Sequence, residues 1–220
     1  MKDQPAQIER RSMEIIQTEL DRRGIVLPPE EAPIVMRCIH ASADFDYAEN
    51  LRFTAGAVQL SLLALKNGAH IVTDTNMALA GVSKTGLKKL GGEAHCFMAE
   101  PEIAEIARAR GSTRAVASMD FAAAHLPEAI FAVGNAPTAL FALTEQMEKG
   151  LRPALIVAVP VGFVNVVESK QAVFTLCERL GVPCIAAKGR KGGSSIAAAI
   201  CNALIYTAAD LLDPAARGWN

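Results

Sequence analysis

The chain has 220 residues, 51% of them apolar and only 5% aromatic, with a formal net charge of −1. The length suits one sizeable core, read as a single domain over residues 1–220. The apolar share excludes a disordered chain, and the near-zero charge gives no global attraction to nucleic acid or to an anionic membrane.

The elements follow in order. Met1 to Pro5 leads into a charged segment, unlike a signal peptide. Ile8 to Arg23 has helical spacing, with Ile8, Met13, Ile15, Ile16 and Leu20 to one side and Gly24 as a stop. Pro28-Pro29-Glu30-Glu31 opens a second helix that carries Ile34, Val35, Cys38 and Ile39 inward and ends around Ala41 to Ala43. Arg37 and His40, three apart, share one face of it. His40 falls in the last turn, where the helix dipole favours a cationic ring and so a proton donor. The plainer reading is a histidine held by a carbonyl.

Asp44 to Tyr47 reads as a loop, and Ala55 to Asn67 as an apolar helix closed by Gly68. Ala69 to Asp74 is the first buried strand, and a helix containing Thr85 and Lys88 runs on to Leu90. Ala94 to Met98 is the second strand. Glu100-Pro101-Glu102 opens a helix that Gly111 closes, and Arg114 to His125 is another. Ala129 to Val133, Ala154 to Val159 and Val182 to Ala187 are further strands. Helices ending at Lys149 and Leu180 separate these last three. Strands and helices alternate about five times, and the strands are continuously apolar, as expected when both faces of a parallel sheet are covered. The expected architecture is a doubly wound, mostly parallel α/β sheet of about five strands with an N-terminal helical preface. Ligands bind such sheets outside the C-terminal strand ends. The loops that start at Asp74, Gly134, Pro160 and Lys188 all lie there.

The last of these loops, Lys188-Gly189-Arg190-Lys191-Gly192-Gly193-Ser194-Ser195, places three cations and three glycines between a strand and a helix start. Free helix N–H groups and full positive charge suit an anion, against the alternative of a solvated basic turn. The spacing is neither GxxxxGK[ST] nor GxGxxG. No GxSxG elbow and no HExxH spacing is present. The five cysteines (Cys38, Cys96, Cys177, Cys184 and Cys201) form no CxxC pair and read as free thiols in a reducing compartment, so no metal is expected. No apolar run approaches the roughly 20 residues of a membrane span, and a cytoplasmic protein is expected. Asn135, Thr138 and Asn165 can donate and accept hydrogen bonds, while Arg114, Lys188 and Arg190 can bind carboxylates. The residues alone point to an isomerase or transferase acting on a carboxylated ligand with an apolar body.

Six stretches taken together resemble the precorrin-8X methylmutase family. They are Arg11-Ser12-Met13-Glu14-Ile15-Ile16, Arg37-Cys38-Ile39-His40-Ala41, Asp74-Thr75-Asn76-Met77, Gly134-Asn135-Ala136-Pro137-Thr138, Pro160-Val161-Gly162-Phe163-Val164 with Glu168-Ser169-Lys170, and Gly189-Arg190-Lys191-Gly192-Gly193-Ser194. One departure is Ala43, where the family pattern has a glycine before the acid. The resemblance implies a cytoplasmic homodimer without cofactor that moves a methyl group from ring carbon eleven to carbon twelve of a corrinoid tetrapyrrole. It makes His40 the catalytic histidine and Ser12 and Arg37 substrate contacts. The full set of expected contacts is Ser12, Arg37, Thr85, Arg114, Asn135, Lys188, Arg190, Lys191 and Ser194. A corrinoid carrier without turnover is the alternative. A nucleotide-dependent transferase is disfavoured by the missing glycine fingerprint.

Overall fold

The computed structural model of the protein describes residues 5–218. Met1 to Gln4, part of the segment read above as unlike a signal peptide, lie outside the described residues. Helices α1 (Pro5–Arg22), α2 (Ala32–Ser42) and the short α3 (Tyr47–Asn50) precede strand β1 (Leu51–Phe53). The chain continues through α4 (Ala57–Lys66), β2 (Ile71–Thr73), α5 (Asn76–Gly81), α6 (Lys84–Lys89), β3 (Ala94–His95), α7 (Pro101–Ala109), α8 (Arg114–His125) and β4 (Ile130–Val133). It ends with α9 (Pro137–Glu148), β5 (Leu155–Ala158), α10 (Val166–Leu180), β6 (Cys184–Ala187), α11 (Ser194–Ala208) and a 3₁₀ turn, Pro214–Arg217.

The sheet order is β1-β6-β5-β4-β2-β3, and every pair is parallel except β1 with β6. The chain builds β3 to one side of β2, then crosses back to β4 on the other. The strand order therefore reverses between β2 and β4, and ligands favour the crevice at such a reversal. β2, β4, β5 and β6 are buried at every position. One core lies between the sheet and α2, α4 and α11, the other between the sheet and α8, α9 and α10. Helix α11 contains no charged residue and is buried over most of its length, so it acts as a central beam with the helical preface packed outside it.

Two expectations change in detail. The sheet has six strands, because Leu51–Phe53 adds an antiparallel edge strand against β6. Three residues containing Arg52 carry too little pattern to announce a strand, and the pairing that makes one lies more than 130 residues away in the chain, as in Leu51 with Ala187. The helix expected to run on to Leu90 is broken into α5 and α6. Ser83 caps the second piece by accepting from the Gly86 N–H at 3.3 Å. Asn202 of α11 grips the break, accepting from the Ser83 N–H at 2.7 Å and donating to the Gly81 carbonyl at 2.8 Å.

Candidate active site

The four loops at the C-terminal strand ends are bonded to one another. Asp74, at the end of β2, accepts from the N–H groups of Gly134, Asn135 and Ala136 at 2.9, 2.8 and 2.8 Å. Burial pushes the Asp74 carboxyl up, although those three donors pull the other way. Thr75 caps α5 and shares a 2.8 Å hydroxyl contact with Ser194 at the start of α11. Gly193 N–H donates to the Val159 carbonyl at 2.8 Å, and Gly162 N–H donates to the Arg190 carbonyl at 3.3 Å. Two glycines permit this closeness. A Cβ on Gly134 would lie 2.7 Å from Ser194 Cα, and one on Gly192, whose φ is +155°, would lie 2.1 Å from the Val159 carbonyl oxygen.

The basic loop is held from beneath by Lys170 of α10. Its side chain is 4% exposed, and its ammonium donates to the carbonyls of Gly189 at 3.0 Å and Lys191 at 2.7 Å. Burial pulls this ammonium down to about 8. Lys188 and Arg190 are exposed. Lys188 Nζ donates to the Glu49 carbonyl at 3.2 Å, and the Arg190 guanidinium stands over the Phe163 ring at 5.4 Å. Phe163 flanks Arg190 without being buried, at 82% exposure, and Met77 of α5, after β2, is 72% exposed.

Helix α2 reaches the same face. The Arg37 guanidinium lies over Tyr206 in the last turn of α11, while Asp44 just beyond α2 meets Lys191 just before α11. The two helices are thus antiparallel, and the C-terminal end of α2, with the exposed His40, comes to the mouth of the loop cluster. Lys191 Nζ lies 2.6 Å from Asp44 Oδ2 and also bonds Asp46. The hydrogen bonds that Lys191 donates to these two acids push it up to about 12, and the bond from Lys191 holds Asp44 below its ordinary range.

The other expected residues divide by place. Asn135 is exposed at the strand-order reversal, and Ser194 opens α11. Arg114 is exposed at the start of α8, which lies beside the start of α9 through a 3.4 Å Thr113–Thr138 hydroxyl contact. Arg37 is paired at 2.8 Å with Glu9 of α1, which also bonds Arg217 at 2.6 Å. Burial pushes Glu9 up, but the bond from Arg217 and the charges of Arg37 and Arg217 more than offset this and hold it down. Ser12 lies within one turn of Glu9, and its hydroxyl donates to the Ile8 carbonyl at 2.9 Å. Thr85 is not brought to the cluster. Its neighbour Gly86 packs on Ile205 and Leu211 beyond the far end of α11, roughly 16 Å of helix from Ser194.

Asp74, Asp44 and Lys170 were absent from the expected site. Only Asp74 carried a local signal, a lone acid at the end of an apolar strand. Among the described residues, His70, Glu93 and His95 have ligand atoms close enough to share a metal ion, and they sit apart from this face.

The fold and this cationic, apolar-flanked face define an α/β protein that offers a ligand surface at the C-terminal ends of a parallel sheet. The chain belongs to the precorrin-8X methylmutase family, whose model matches residues 7–207. It is 43% identical over 209 residues to the cobalt-precorrin-8 methylmutase of Salmonella typhimurium, covering 92% of this chain and 95% of that protein. It is 37% identical over 198 residues to the precorrin-8X methylmutase of Pseudomonas aeruginosa, covering 90% and 93%. The precorrin-8X methyl mutase structure from Thermus thermophilus superposes with a TM-score of 0.82 at 41% identity, covering 92% of this chain and 98% of that one.

Proposed function

We propose that the chain is an isomerase of cobalamin biosynthesis that moves a methyl group from ring carbon eleven to carbon twelve of precorrin-8X or cobalt-precorrin-8. The observation that supports this reading is the Asp44–Lys191 tether, which joins the segment four residues beyond His40 to a glycine-rich cationic loop in a chain of this family. The ligand has a conjugated apolar ring and a rim of carboxylates. Lys188, Arg190, Arg114 and the N–H groups opening α11 suit the rim, while Phe163, Val164 and Met77 suit the ring. Asn135 and Ser194 add hydrogen bonds between them.

His40 is the proton donor in this reading. Protonation of a ring nitrogen draws electron density from the π system and eases methyl migration, and the proton returns to His40 when the corrin forms. The rearrangement stays within one molecule and involves no net oxidation, so it needs no electron carrier. Arg37 and Ser12 stand one turn from His40 and from Glu9 respectively. Their proposed part is to shape the substrate-facing side of α1 and α2.

A homodimer fits the exposed apolar pair Ile8 and Ile15, seven residues apart on one face of α1, and sedimentation of the purified chain tests it. The buried free thiols of Cys38, Cys177, Cys184 and Cys201 fit a reducing compartment. No helix among the described residues is long and apolar enough to cross a membrane.

The function is tested by mixing purified chain with precorrin-8X, and separately with cobalt-precorrin-8, while recording the ultraviolet-visible spectrum. Conversion of either to a corrin-type spectrum is the expected result. Binding of both with no conversion would leave a carrier and overturn the reading.

A further inference from the structure

We propose that His70, Glu93 and His95 form a binding site for one zinc-class divalent transition-metal ion at the edge of the sheet, separate from the methylmutase face. His70 precedes β2, Glu93 precedes β3, and His95 ends β3. The parallel register pairs Ile71 with Ala94 and Val72 with His95, so His70 lies opposite Glu93. Residues two apart on a strand share a face, which puts His95 on the same side as Glu93. The three side chains therefore converge from two adjacent strands, with their ligand atoms all within 4.8 Å of one another.

The distances suit a metal. His70 Nδ1 and His95 Nε2 are 3.2 Å apart. Two imidazole nitrogens bound at the usual zinc distance in tetrahedral geometry stand about 3.3 Å apart. Without an ion the same spacing serves a hydrogen bond between the rings, so this separation needs little rearrangement on binding.

The backbone holds all three residues firmly. The Ile71 N–H donates to the Glu93 carbonyl at 2.9 Å, the Ile130 N–H donates to the His70 carbonyl at 2.8 Å, and the Thr73 hydroxyl donates to the His95 carbonyl at 3.2 Å. The His95 ring is stacked on Phe97 at 5.8 Å, which limits its swing. Two imidazoles and one carboxylate are a zinc ligand set that leaves a fourth position for water. His70 also lines a cavity of about 520 Å³ with His125, Glu128 and Arg152, through which water reaches it. Imidazole with carboxylate also suits Co²⁺ and Ni²⁺ better than Mg²⁺ or Ca²⁺. A bound ion would clamp β3, only two residues long, to its neighbour.

The test uses the full chain, free of any affinity tag and stripped with a chelator, without corrinoid. Equilibrium dialysis should show one Zn²⁺ per chain, and Co²⁺ added in its place should give the intense visible bands of a tetrahedral site. His70→Ala and His95→Ala should each weaken Zn²⁺ binding by at least about 100-fold, and Glu93→Gln by about 10-fold with shifted Co²⁺ bands. Glu93 is exposed, so its variant reads the site even if a histidine variant fails to fold. Cys96→Ser, next in sequence to His95, should bind as the parent does. No saturable binding at micromolar Zn²⁺, or binding unaltered in Glu93→Gln and either folded histidine variant, would overturn the proposal and leave a hydrogen-bonded histidine pair.

Discussion

Lys191 Nζ stands 2.6 Å from Asp44 Oδ2, and this contact joins the loop before α11 to the segment that follows His40. The pair is partly exposed, so its worth to overall stability is small. Its worth to the site is positional. Asp44→Asn should leave the unfolding midpoint nearly unchanged while lowering turnover roughly 10-fold or more, because in the proposed mechanism this tether sets the histidine's approach to the ring. Tighter substrate binding in Asp44→Asn would mean that Lys191 serves the substrate directly and that Asp44 merely competes. The pH sense follows from the lowered carboxyl of Asp44: the tether is intact above the ordinary aspartate range and is lost as pH falls through the folded value.

His40→Ala should abolish methyl transfer while the corrinoid still binds, since the proposed proton acts on the reacting π system and the carboxylate contacts lie elsewhere. Turnover and equilibrium binding measured on the same preparation check this. Unchanged turnover removes His40 from the chemistry.

Arg190→Ala should raise the dissociation constant about 10-fold and leave the rate at saturating substrate close to the parent value, because its proposed partner is a carboxylate that does not react. A large fall in saturated rate with normal binding would place Arg190 in the chemistry instead.

Lys170 gives a pH prediction of the same sense as Asp44, in a higher pH window. Its folded value is about 8 against an ordinary 10.5. Between those values the unfolded chain holds a proton that the folded chain has released, so this group makes stability rise with pH across that window. Buried thiols such as Cys38 and Cys201 pull the other way above their ordinary range. The measurement is therefore a difference: urea midpoints of the parent minus those of Lys170→Met should grow between pH 8 and 10.5. A flat difference refutes the assignment. Lys170→Met should also weaken substrate binding by freeing the Gly189 and Lys191 carbonyls that shape the loop.

Ala43 closes α2 in the left-handed conformation at φ 55°. A glycine is favoured there, which accounts physically for the family pattern from which this chain departs. Ala43→Gly should stabilise the protein by about 0.5–1 kcal/mol, the relief of the side-chain clash less the entropy of the freer unfolded chain. Chemical denaturation checks it, and a loss of stability would contradict it.

Most of the frame could be read from local pattern. Helix α8 has the expected bounds, and the loops at Asp74, Gly134, Pro160 and Lys188 do share the C-terminal end of the sheet. The missed parts depend on partners distant in the chain. β1 exists through its pairing with β6, the break between α5 and α6 depends on Asn202, and Glu9 bonds both Arg37 and Arg217, the latter 208 residues away. The same holds for the site. Charge and glycine content singled out the basic loop, but only the fold reveals that Lys170 props it and that Lys191 is engaged by Asp44 and Asp46. The position of Thr85 likewise depends on where α6 turns.

The wall of the loop cluster is made largely by main-chain atoms: the N–H groups of Gly134, Asn135 and Ala136 on Asp74, and the N–H of Gly193 on the Val159 carbonyl. Side chains that face outward from it, Asn135, Lys188 and Arg190 among them, are not what keeps it in shape. Such a scaffold separates inheritance from adaptation. In the proposed reading, substitutions at the outward positions retune which decorated ring is accepted, metal-free or cobalt-loaded, while Gly134 and Gly192 leave no room for a side chain.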